Sequence, residues 1–156
     1  MKTQEKISKH ISYKEGVYSN TATRKGIDNN PGDIELKAMK NVAENVFEPL
    51  REEFGCPIRI NSFFRSKALN LAVGGSAKSQ HCKGEAMDID DTLGGVTNAD
   101  MWLFIKNNLE FDQLIWEFGD SNNPDWVHVS LKLNGENRKQ CLRAKRVNGR
   151  TVYEKM

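Results

Sequence analysis

The longest helical stripe in this 156-residue chain is Met39, Val42, Ala43, Val46, Phe47 and Leu50, which recur at steps of three and four. That spacing lines one side of a helix with apolar side chains, and the helix must bury that side. Asp33 is placed to cap its start, Pro49 to kink its final turns and Gly55 to end it. Most other apolar residues come in short alternating runs that read as strands. "PIRINSFF" puts Ile58 and Ile60 on one face. "EAMDID" puts Ala86, Asp88 and Asp90 on one face and Met87 and Ile89 on the other. "DQLIWEF" and "DWVHVSLKL" flank the turn-rich "GDSNNP". A short helix is expected over residues 67–73, stopped by Gly74-Gly75. Another opens at Thr97 and Asp100 and runs through Asn108, carrying Met101, Trp102, Phe104 and Ile105 inward. Asn148-Gly149 predicts the type I′ turn of a C-terminal hairpin within residues 140–156. Residues 1–32 are polar and rich in turn formers, and read as an irregular arm with one short helix at most. Together these elements predict one α+β domain over residues 1–156, with helices packed on a small, mostly antiparallel sheet.

Composition narrows the partners. A net charge of +2 gives no general argument for nucleic acid. No stretch is long and apolar enough to span a membrane. The first thirty residues lack the apolar run of a secretory signal, so synthesis in the cytoplasm, and a monomer, are expected. From Lys132 onward eight Lys or Arg face only Glu136 and Glu154. That excess fits a solvated edge hairpin, and it would also draw the chain toward an anionic polymer. Cys56, Cys82 and Cys141 are odd in number and form no C-x-x-C pair, which argues against disulfides and a Cys-rich metal site.

Chemistry is concentrated in the histidines. His10 lies in the polar arm and is expected to be solvated. His81 and Asp88 stand seven residues apart in "SQHCKGEAMD", with Gly84 between them to allow a sharp turn. His128 sits in "DWVHVS", where Trp126, His128 and Ser130 share a face while Val127 and Val129 point to the core. Two imidazoles and one carboxylate are a frequent set for catalytic zinc and leave a fourth position open. Taken alone, the spacing also fits ordinary polar residues of a loop and a strand.

Ser79, His81, Gly84, Ala86 and Asp88 resemble the S-x-H-x-x-G-x-A-x-D motif of the zinc D-Ala-D-Ala carboxypeptidases. That family includes phage endolysins that are L-alanyl-D-glutamate peptidases. "FRS" at Phe64-Arg65-Ser66 resembles its Tyr-Arg-Ser, with Phe in place of Tyr, and "DWVHVS" resembles its second metal segment. The resemblance implies a fold like that of the hedgehog signalling domain and one zinc ion on His81, Asp88 and His128. It implies Arg65 as stabiliser of the reacting oxygen and Ser79 as a substrate contact. It implies Asp125, three residues before His128, as the general base. Glu117, on "LIWEF", is the alternative base or a supporting partner. Trp126 is a candidate cleft residue, as is Trp116 if it is not core. The implied partner is the stem peptide of peptidoglycan, cut at D-Ala-D-Ala or L-Ala-D-Glu after release to the wall, as a phage lysin would be. A non-catalytic wall-binding or virion module and a cytosolic D-alanyl dipeptidase are the alternatives.

Overall fold

The computed structural model describes residues 6–156. The first five residues of the expected arm lie outside that range. The arm is more regular than its composition suggests. It forms β1 (Lys6–Ser8), β2 (Ile11–Ser12), α1 (Tyr13–Val17) and α2 (Asn20–Lys25). Ile7, Ile11 and Tyr13 are buried with the main core, so a few apolar residues at the right register outweigh the polar majority. His10 is not simply solvated. Its backbone N–H donates to Glu48, and its ring Nδ1 pairs with the same carboxylate.

The long helix comes in three parts: α3 (Asp33–Val42), a widened π-helical stretch (Ala43–Phe47) and α4 (Glu48–Phe54). Asp33 is the first residue of α3 rather than its cap. Gly32 holds the cap position, and its N–H donates to the Glu35 carboxylate at 3.0 Å. The wide turns sit just before Pro49, which has no N–H to give to the carbonyl four residues back. The whole predicted stripe, from Met39 to Leu50, is buried. Gly55, at φ +61°, closes α4 in a left-handed cap.

Six strands form the main sheet: β3 (Arg59–Ser62), β4 (Ala86–Asp90), β5 (Gln113–Glu117), β6 (Trp126–Ser130), β7 (Gln140–Val147) and β8 (Arg150–Lys155). Their order is β3-β4-β6-β5-β7-β8. β5 and β7 run parallel, while every other neighbouring pair is antiparallel. The sheet is therefore larger than expected and mixed. The segment between β6 and β7 returns the chain to the side it left, so the strand beside β5 enters in the same direction as β5. Between β3 and β4 lie α5 (Lys67–Ala72) and one 3-10 turn (Gln80–Lys83). α6 (Asn98–Asn108) is capped by the Thr97 hydroxyl, which accepts from the Asp100 N–H. β7 and β8 meet at Asn148 and Gly149, at φ +53° and +77°. Both residues are left-handed, as a type I′ turn requires.

Strand alternation divides the sheet into two faces. Met87, Ile89, Leu114, Trp116, Val127 and Val129 are buried with Met39, Phe47, Met101, Trp102 and Ile105 of the helices. The Trp102 and Trp116 rings meet edge to face at 5.5 Å, and so Trp116 belongs to the core. The opposite face has only a small apolar cluster, Ile115, Leu142 and Ala144, with Phe118 against it.

Candidate metal centre

The open face carries the predicted ligands because of register. Asp88 on β4 lies directly opposite His128 on β6, and His128 lies opposite Ile115 on β5. Cross-strand partners share a face. On each strand the residues flanking the ligand point the other way and are fully buried: Met87 and Ile89 around Asp88, Val127 and Val129 around His128. The core thus grips both ligand backbones. His81 arrives from the 3-10 turn, whose cap, Ser79, accepts the His81 N–H at 3.2 Å. The turn ends at Gly84, at φ +75°. A Cβ there would stand 2.3 Å from the Glu35 carbonyl oxygen. Only glycine lets the chain reverse so tightly against α3 and bring His81 back over β4.

Ligand atoms of the three side chains lie within 4.8 Å of one another. His128 Nδ1 is 2.9 Å from Asp88 Oδ1, and His81 Nε2 is 3.3 Å from Asp88 Oδ2. Two ligands of tetrahedral zinc, each about 2.0–2.1 Å from the ion, stand roughly 3.3 Å apart. The protonation pattern points the same way. His81 Nδ1 lies 2.7 Å from the Phe63 carbonyl, which accepts only, so the proton sits on Nδ1. Nε2 then presents a lone pair. It is buried, has no hydrogen-bond partner and faces a carboxylate oxygen. Two acceptors in contact inside a protein repel unless a cation lies between them. Burial pushes the pKa of His81 down, against the pull of Asp88, which favours the neutral imidazole a metal needs. Burial works against ionisation of Asp88, but His81 and His128 overcome it and hold the carboxyl well below the usual range. These donors fit one zinc ion.

Around them opens a cleft of about 730 Å³. Arg65 and Ser79 line it, as do Trp126 and Glu117. Arg65 is held in place: Nε donates to Ser62 Oγ, Nη1 donates to Asn70 Oδ1 at 3.0 Å, and Nη2 is 3.8 Å from Asp88 Oδ2. The arm steadies the same segment. Asn29, buried, donates to the carbonyls of Val17 and Phe64 and accepts the Ser66 N–H.

Glu117 and Asp125 end up in different places. Glu117 pairs across β5 and β6 with Trp126, one row from His128 on the same face. It is buried at the cleft floor, and burial pushes its carboxyl up to about 7. His128 opposes that rise and Asp88 adds to it. A cation held by Asp88 and His128 would pull the value back down. Asp125 is exposed and lines a neighbouring depression with Phe118, Arg143 and Arg146 instead of the cleft. Its N–H donates to the Glu117 carbonyl at 2.8 Å. Asp125 thus lies at the turn just before β6, off the strand that carries His128 and outside the lining of the cleft. The intervening turn is tight. Phe118 adopts φ +57°, unusual for a bulky residue, and a Cβ on Gly119 would stand 2.2 Å from the Asn123 carbonyl.

Two groups escaped the sequence reading. Asn70 orients Arg65, and no local signal marks it. Tyr153 on β8 also lines the cleft. Its alternation within the hairpin was legible, but its neighbour across the sheet was not. Cys82 stands beside His81, yet the metal-ligating group consists of His81, Asp88 and His128 without it.

Residues 9–130 match the family model described as Peptidase M15, which covers every ligand and Glu117. No curated protein matches the chain.

Proposed function

Because the chain belongs to the M15 peptidases, a family of zinc metallopeptidases, we propose that it hydrolyses a peptide bond in the stem peptides of peptidoglycan. His81, Asp88 and His128 would hold one zinc ion. The observation that carries the reading is the pair of acceptors, His81 Nε2 and Asp88 Oδ2, facing each other at 3.3 Å with Glu117 one row away.

A zinc ion held there would supply an activated water and polarise a substrate carbonyl. The chain's own residues supply the rest. Glu117 is the group on the cleft floor able to take a proton from the attacking water and pass it to the leaving amine. Its burial raises its pKa and a bound cation lowers it, so its basicity is set by the balance of the two. Asp125, outside the cleft, is not assigned that task. Arg65, fixed by Ser62 and Asn70, offers a permanent positive charge to the oxygen that becomes negative in the tetrahedral intermediate. Trp126 and Ser79 form part of the wall a peptide would meet.

The cleft lies open on the sheet face, which favours a polymer-borne peptide over a small free dipeptide. The Glu117 carboxylate beside the metal set favours an enzyme over a binding module, since a binder has no use for a desolvated acid there. Digestion of purified peptidoglycan with and without a chelator, with the fragments weighed by mass spectrometry, tests the reading. Chelator-sensitive peptide fragments are expected. Their absence from metal-loaded protein would refute the proposal.

A further inference from the structure

The last strand brings a phenol to the cleft. β5, β7 and β8 lie side by side, and the row holding Glu117 continues through Ala144 to Tyr153. On its other side the same row begins at Trp126. Residues of one row point to one face. Neighbouring strands are about 4.8 Å apart, so the backbone of Tyr153 starts roughly 10 Å from that of Glu117. A tyrosine side chain spans much of that distance, and the residue between is an alanine, too short to block it. Tyr153 accordingly lines the same cavity as His81, Asp88, His128 and Glu117, although it stands on the edge strand with 54% of its surface exposed.

Two further observations separate Tyr153 from an ordinary edge aromatic. Among the described residues its hydroxyl has no hydrogen-bond partner. Partial burial, then the negative charges of Glu117 and Asp88, push its phenol up. Arg65 lines the same cleft beside Asp88, on the β4 side of the metal set, while Tyr153 lines it from β8. β7 and β8 both lie beyond residue 130, where the family match ends.

We propose that Tyr153 is a substrate contact whose hydroxyl donates a hydrogen bond to a backbone carbonyl of the bound peptide, with the β7–β8 hairpin as the cleft wall on the Glu117 side. The contact is to a part of the substrate that does not react, so it holds the bound peptide and the transition state equally. This inference rests on the peptidase reading.

The test uses the full, zinc-loaded chain and a soluble pentapeptide stem, with kcat and KM measured for wild type and Tyr153→Phe. Loss of one neutral hydrogen bond should raise KM about threefold to tenfold. kcat should stay within about twofold, with zinc content and Tm unchanged. Tyr153→Ala should raise KM at least as far. Unchanged kinetics in both variants would overturn the proposal, and so would a fall in kcat at constant KM. If the wild type cut nothing, the peptidase reading would fail by itself. Calorimetric binding of the same peptide would still decide the role of Tyr153: weaker binding by Tyr153→Phe supports it, and equal binding overturns it.

Discussion

On β4, Met87 and Ile89 are sealed beneath the helices while Asp88, between them, stands in the cleft. On β6, Val127 and Val129 are sealed while His128, between them, stands beside Asp88. One face of the sheet is packed with apolar side chains, and the other carries carboxylates, imidazoles and one small apolar cluster. The two faces have different tasks but share a backbone. The packed face fixes where each strand lies. The open face uses that rigidity to hold polar groups that would otherwise repel one another or seek water.

If the division holds, the faces should respond differently to substitution. The largest effect belongs to the ligands. His128→Ala should abolish stoichiometric zinc and reduce hydrolysis to background, while Tm of the metal-free protein falls little. Metal analysis and calorimetry on one sample check this. A large loss of metal-free stability would show that the open face also holds the fold. Next comes Glu117→Gln, which should keep zinc bound and lower kcat by about 10²–10⁴-fold, the usual contribution of a general base. Asp125→Asn should change kcat less than about threefold. A reversal of these two results would return the base to Asp125. On the packed face, Met87→Ala leaves a cavity and should cost about 2–5 kcal/mol in denaturant unfolding. The folded fraction should still bind zinc one to one.

The smallest effect concerns the polar ties of the cleft wall. Asp112 is fully buried, accepts from Gln80 and is paired with Arg138 at 2.8 Å. Burial alone would raise its pKa, but the Arg138 hydrogen bonds dominate and hold it at about 2. A depressed carboxyl stabilises the folded state above its unfolded pKa near 4, and that contribution disappears as pH falls through 2. About 2 kcal/mol should therefore be lost between pH 4 and pH 2. Asp112→Asn should flatten that part of the stability–pH curve. An unchanged curve would show that the pair contributes nothing.

Much of this was readable from residue order. The stripe from Met39 to Leu50, the alternation around Asp88 and His128 and the Asn148-Gly149 turn are local patterns. Local patterns survive into the structure when each is reinforced by burial of the same side chains. The arm was misjudged because composition averages over a segment, whereas the core needs only Ile7, Ile11 and Tyr13 from it. The parallel β5–β7 pairing left no local trace, since direction depends on how a loop returns. Asp125 matches the position of the family's base, but its place beside Phe118 and Arg146 depends on how the turn before β6 folds.

By itself the sequence determined the ligand types, the glycine that lets His81 turn back, and the face on which Asp88 and His128 would lie. Each of these follows from backbone geometry over a few residues. Tertiary structure alone decided that Glu117 lies one row from His128 on the same face and that Tyr153 lines the same cleft. Both depend on which strands become neighbours and in what register, and that is settled by burial across the whole sheet.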